Sequence, residues 1–228
     1  IKEGRIIKDD ISDKVIPLYT QIIGTREGVG VLEREPLTLV FNNGRLFLNW
    51  QDKLLTPNSG VYTALCIGSK WYSSSQADWE VKKEGENKLV ATGKLYQLML
   101  TQIWKLELTD NYEIKWDIEI ELEEPLEIQD GHTDIMLTNE YGQWFTNLEK
   151  GEFPLIEDKD KNWQGLLEGT IFRNCIGVDA EEISGNKIPS LAFEQSSSSH
   201  RNQAQISNTD YFTNCRVLQY KTMGLQDY

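Results

Sequence analysis

Residues 102–123, QIWKLELTDNYEIKWDIEIELE, decide the fold. Before the tetrad Thr109-Asp110-Asn111-Tyr112, the residues Trp104, Leu106 and Leu108 point one way. After it, Tyr112, Ile114, Trp116, Ile118, Ile120 and Leu122 share a face, and Glu113, Lys115, Asp117, Glu119 and Glu121 take the other. A period of two over this length is a strand with one face buried and one in water, since a helix would scatter those residues around its axis. Asp110-Asn111 supplies turn chemistry, because both residues tolerate left-handed backbone and hydrogen-bond locally. The stretch therefore predicts a long antiparallel hairpin as the spine of the fold, with Trp104 and Trp116 in its core.

Outward from the hairpin, the same signal recurs. Leu37 to Phe41, Arg45 to Trp50, Val61 to Ile67, Lys70 to Ser73, Ala77 to Lys83 and Lys88 to Ala91 read as strands, with turns at Asn42-Asn43-Gly44, Gly68-Ser69 and Glu84-Gly85-Glu86-Asn87. Tyr96 to Leu108 and Tyr112 to Glu123 make the hairpin. Beyond Pro125, Leu126 to Ile128, Thr133 to Thr138, Trp144-Phe145, the Trp163 to Phe172 region, Ile176 to Val178, Leu191 to Phe193 and Tyr211 to Tyr220 follow. No long 3.6-periodic stretch carries both helix caps. The expectation is all-β: a large antiparallel β-sandwich of supersandwich type. Residues 1–34 are expected to form an N-terminal edge segment and residues 35–228 a single β-sandwich domain. All-β domains commonly run to about 200–250 residues, and the Ser196-Ser197-Ser198-Ser199 run reads as a loop rather than a linker.

Composition limits the partners. A net charge of −13 argues against nucleic acid, whose phosphates are held by Lys/Arg fields, and against anionic membranes or polyanionic substrates. No run approaches the ~20 apolar residues that span a bilayer. A chain opening on Ile1 reads as trimmed, so a signal peptide or neighbouring domains of a longer parent protein remain open. The three cysteines, Cys66, Cys175 and Cys215, do not make a disulfide framework, which favours a reducing, cytoplasmic compartment.

Several segments together resemble the galactose-mutarotase-like supersandwich. They are Phe41-Asn42-Asn43-Gly44-Arg45-Leu46-Phe47-Leu48, Leu55-Thr56 with Gly60-Val61-Tyr62-Thr63-Ala64-Leu65, the central hairpin, and Asn214-Cys215-Arg216-Val217-Leu218-Gln219-Tyr220. The resemblance covers most of the chain from about residue 35 and implies a concave sheet that handles sugars, as in aldose 1-epimerases and the sandwich domains of polysaccharide lyases. It implies, for an enzyme, a histidine acid and a glutamate base. His132, in Asp130-Gly131-His132-Thr133, and Glu194 are the residues that would fill these roles, with His200 as the other histidine. Neither stands in the Asn-His-x-Tyr context that carries the epimerase acid.

Aromatic rings grip sugars because CH-rich pyranose faces stack on them while polar neighbours take the hydroxyls. Trp71-Tyr72-Ser73-Ser74-Ser75-Gln76-Ala77-Asp78-Trp79 has that make-up, and Asn139-Glu140-Tyr141-Gly142-Gln143-Trp144 repeats it. Trp71, Trp79 and Trp144 are the candidate stacking rings; Asn139, Glu194 and Arg216 are the candidate hydrogen-bonders. The alternative is that these rings fill the core, that His132 caps a loop, and that Arg45, Arg173 and Arg216 pair with buried acids. Asp158-Lys159-Asp160-Lys161-Asn162 begins like a calcium loop, but Trp163 and Gly169 stand where an EF-hand needs Gly and Glu, so it reads as a solvated acidic turn. No zinc spacing, nucleotide loop or nucleophile elbow is present, and no metal or cofactor is expected.

Three functions follow as expectations. The first is a carbohydrate-binding or carbohydrate-processing accessory domain with an aromatic-lined concave sheet. The second is an aldose 1-epimerase-like or lyase-type enzyme using His132 and Glu194. The third is a structural or interaction domain of a larger bacterial protein.

Overall fold

The computed structural model describes residues 28–154, 163–167, 174–180, 188–194, 201–209 and 215–223. Within them, strands alternate with tight turns, and two single-turn 3-10 segments occur at Ser74–Gln76 and Tyr96–Leu98. Every strand pairing is antiparallel, in three sheets. The largest has ten strands. Its order is β1 (Val29–Arg34), β2 (Leu37–Asn42), β3 (Leu46–Trp50), β5 (Val61–Ile67), β11 (Asp130–Leu137), β18 (Cys215–Met223), β17 (Arg201–Thr209) and β14 (Trp163–Leu167). The short β4 (Lys53–Leu54) joins β3, and β6 (Lys70–Ser73) joins β5. A second sheet runs β10 (Ile114–Leu122), β9 (Leu100–Leu108), β8 (Lys88–Leu95) and β7 (Asp78–Lys83); a third runs β13 (Lys150–Glu152), β12 (Tyr141–Thr146), β15 (Cys175–Ala180) and β16 (Leu191–Glu194).

Register shows how the layers stack. Residues directly opposite across a ladder share a face. Phe41 faces Leu46, Leu46 faces Val61, Val61 faces Ile135 and Ile135 faces Leu218, so these side chains and Tyr220, two residues on from Leu218, share one side of the ten-stranded sheet. At one end of that side, Phe41 packs edge-on against Trp79 and Trp104 of the second sheet, at 5.1 and 5.6 Å between ring centroids. At the other end, the Tyr220 hydroxyl donates to the Phe193 carbonyl at 2.7 Å and Arg216 Nε donates to the Tyr141 carbonyl at 3.0 Å, both in the third sheet. Both four-stranded sheets therefore pack on the same inner face, in a sandwich whose core runs continuously between the layers.

The hairpin pairs Ile114 with Leu108, Trp116 with Leu106 and Ile118 with Trp104. Trp104 is fully buried and Trp116 packs on it at 4.8 Å, but β10 is an edge strand and Ile120 keeps 39% of its surface exposed. The left-handed residue of the turn is Tyr112, at φ 61°, rather than Asn111. Its amide donates to the Thr109 carbonyl, and its hydroxyl reaches the Glu35 carbonyl. The strand expected to begin at Tyr96 begins instead at Leu100, after the Tyr96–Leu98 turn and left-handed Met99. Leu126 to Ile128 is irregular, though Ile128 is buried.

Glycines admit large rings at two equivalent places. Trp79 lies opposite Gly93, and a Cβ there would fall 2.5 Å from the indole. Trp144 lies opposite Gly151, with the same clash at 2.4 Å. In each pair the ring covers the glycine backbone, a cross-strand arrangement that compensates for the missing side chain.

Candidate functional site

The inner face of the large sheet is committed to the core, so chemistry open to a ligand lies on its outer face. The two-residue period puts Tyr62, Ala64 and Cys66 of β5 on that face, with Asp130, His132, Asp134 and Met136 of β11 beside them. Gln219 and Lys221 of β18 lie opposite Asp134 and His132, and Trp71 and Ser73 of β6 lie opposite Cys66 and Ala64. A polar strip thus crosses four adjacent strands.

Asp134 is its hub. The carboxylate is only 3% exposed, yet it is well supplied with donors. Gln219 Nε2 donates to Oδ1 at 2.7 Å, and the Tyr62 hydroxyl donates to the same carboxylate. His132 Nδ1 stands 2.8 Å from Oδ2, the separation of an ion pair, without the alignment of a hydrogen bond. Burial, followed by the Asp134 charge and hydrogen bond, pushes the Tyr62 phenol far above its ordinary value, while the Arg45 charge pulls less strongly the other way. Tyr62 is therefore a fixed donor. Trp71 covers the imidazole of His132, with ring centroids 4.7 Å apart and planes tilted by 51°, and is itself 46% exposed. Lys221 Nζ pairs with Asp130 Oδ2 at 2.7 Å at the near end of the strip. The arrangement offers an open indole, an imidazole beside a carboxylate, and amide, ammonium and carboxylate groups around them.

No protein-family model and no curated protein matches the chain.

Of the residues singled out in the sequence, the structure brings together Trp71 and His132. It separates the others, for definite reasons. Trp79 is 4% exposed: it points to the inner side of β7, between Phe41, Trp104 and Gly93, and its Nε1 donates to the Ser74 carbonyl at 2.8 Å. Trp144 is buried over Gly151 in the third sheet. Neither ring presents a face for stacking. Arg216 is buried, with its guanidinium directed to the carbonyls of Tyr141 and Asn139 and to Asn208 Oδ1 and its plane over Phe153. It ties the start of β12 to the large sheet, rather than reaching a ligand. Asn139 is exposed, but it follows the end of β11, and β11 alone extends roughly 17 Å beyond His132.

Glu194 is exposed on β16, in the sheet that packs on the inner face. Together with burial, its charge helps raise the Cys175 thiol and the inward Tyr220 phenol. The large sheet therefore lies between Glu194 and His132, and the expected acid–base pair is not assembled. The carboxylate beside His132 is Asp134. Tyr62, Gln219 and Lys221 complete the strip and were missed. The signal for them was present, as His132/Asp134 and Gln219/Lys221 are both i, i+2 pairs on alternating strands.

His200, the serine run, Arg173, the Asp158–Asn162 turn and residues 1–27 lie outside the described residues. Among the described residues, no three His, Cys, Asp or Glu side chains converge as metal ligands, and no helix is long and apolar enough to cross a membrane.

Proposed function

We propose that this chain is a carbohydrate-binding β-sandwich domain that holds its saccharide on the outer face of the ten-stranded sheet, against Trp71. The observation that carries the reading is the half-exposed indole of Trp71, fixed over His132 at the margin of a strip of hydrogen-bonding side chains. A sugar ring needs this combination: an aromatic plane for its CH-rich face, with donors and acceptors at the edge for its hydroxyls. The resemblance to the galactose-mutarotase-like supersandwich, whose concave sheet handles sugars, supports a saccharide ligand held on a sheet face. The site is smaller than the sequence suggests, with one stacking tryptophan in place of three.

The His132–Asp134 pair favours a second reading, an enzyme acting on sugars in which His132 handles a proton. Asp134 would orient the imidazole, and any base would have to come from somewhere other than Glu194.

Titration of the intact chain with neutral mono- and oligosaccharides, followed by tryptophan fluorescence and thermal shift, tests the proposal. A ligand specific to the native state raises the melting temperature as its concentration passes Kd. Binding that Trp71→Ala removes and Trp144→Phe leaves intact supports the reading. A flat response from a folded protein would sink it. Ligand turnover abolished by His132→Asn, with binding retained, would select the enzyme.

A further inference from the structure

A separate concavity of about 400 Å³ lies at the second sheet, lined by Asn43, Asp78, Glu80, Thr92, Lys94 and Tyr96 together with Trp79. Asp78 faces Lys94 and Glu80 faces Thr92 across the β7–β8 ladder, on the side opposite the inward Trp79–Gly93 pair. Their side chains therefore stand on the outer surface. Tyr96, in the 3-10 turn after β8, adds a ring that is 67% exposed, and Asn43 comes from the turn between β2 and β3.

Elsewhere on this sheet, Lys88 Nζ pairs with Glu107 at 3.2 Å directly across the ladder, and Lys105 pairs diagonally with Glu119. Around the concavity, among the described residues, Asp78, Glu80 and Lys94 form no ion pair, although Asp78 and Lys94 are opposite each other in register. The polar groups around this hollow are thus open to a ligand, next to an exposed aromatic ring. Two carboxylates outweigh one ammonium here, and the whole chain carries −13, so the field selects a cation. A tyrosine face attracts an ammonium and also packs against a pyranose. Thr92, Lys94 and Asn43 supply hydrogen bonds suited to hydroxyls.

We propose that this cleft is a second binding site, selective for amino sugars. The protonated 2-amino group lies between Asp78 and Glu80, the sugar ring packs on Tyr96, and Lys94 and Thr92 take the hydroxyls. The site is independent of the Trp71 face and of whether that face binds sugar.

Isothermal titration of the intact chain with a glucosamine tetramer, its N-acetylated counterpart and a plain aliphatic diamine tests the proposal. With the Trp71 face removed by Trp71→Ala, the expected result is saturable binding of the glucosamine tetramer alone. It should weaken about tenfold or more in Glu80→Gln and in Tyr96→Ala on that background, and weaken as salt rises. Both test residues are exposed, so the fold should survive, and circular dichroism checks that. Equal binding of the N-acetylated tetramer by the Trp71→Ala variant would overturn the ammonium selectivity. Equal binding of the diamine would overturn the saccharide, and loss of binding in Trp71→Ala would move the ligand off this cleft. No heat up to about 10 mM tetramer would overturn the site itself.

Discussion

Asp134 shows how one residue ties the outer face to the stability of the fold. A carboxylate this buried is tolerated because Tyr62 and Gln219 donate hydrogen bonds to it. Asp134→Ala leaves the half-buried Tyr62 hydroxyl and Gln219 amide without their acceptor. The expected loss is about 2–4 kcal/mol, read as a lower urea midpoint with an unchanged slope. His132→Ala should cost less than about 1 kcal/mol, because its Nδ1 makes no aligned bond to the carboxylate. If the two variants were equally stable, Asp134 would not be the hub. His132 stood out in the sequence as one of two histidines, whereas Asp134 matters only through residues contributed by β5 and β18. Chain order does not reveal that convergence. For the same reason Arg216 read as a ligand contact: nothing local shows that its charge is turned inward onto carbonyls of another sheet.

At the scale of elements, the glycines under Trp79 and Trp144 make a sharper claim. Each is a strand position where a methyl group would meet an indole at 2.4–2.5 Å. Gly93→Ala and Gly151→Ala should each destabilise by about 1–3 kcal/mol through overpacking. If the ring is the obstacle, Gly93→Ala combined with Trp79→Leu should lose less than the sum of the two single changes; additive losses would assign the cost to the backbone instead. Strands with one apolar and one polar side were legible in the sequence, and β2, β3, β5, β6, β9 and β10 lie within a few residues of where the alternation put them. The strand β17 was not legible. It is Arg-Asn-Gln-Ala-Gln-Ile-Ser-Asn-Thr, with only Ala204 and Ile206 apolar, and its buried Asn208 is satisfied by Arg216 and the Pro154 carbonyl. Polar burial paid for by long-range partners erases the alternation that reveals a strand. The strand β1 was missed because Gly28-Val29-Gly30 obscures its short pattern.

The whole molecule combines a large negative charge with tyrosines sealed between its sheets, and alkaline pH should expose both. Tyr141 and Tyr220 have phenols raised well above the ordinary value of 10.0, chiefly by burial, with hydroxyls donating to the carbonyls of Pro189 and Phe193. In the unfolded chain the same phenols ionise near pH 10. Above that pH the unfolded state therefore binds fewer protons than the folded one, and stability falls as pH rises; below it the contribution is complete. Each phenol steepens the fall by up to about 1.4 kcal/mol per pH unit. The Cys175 and Cys215 thiols, also raised chiefly by burial, act in the same direction from about pH 9. The urea midpoint should accordingly hold to about pH 8.5, decline from there, and drop more steeply past about 10. General charge repulsion would give a fall as well, but one indifferent to any single phenol. Tyr220→Phe separates the two causes. It should cost about 1 kcal/mol at neutral pH, from the lost hydrogen bond, and flatten the limb above pH ~10. An alkaline slope unchanged in both Tyr220→Phe and Tyr141→Phe would show that these two buried phenols do not carry the transition.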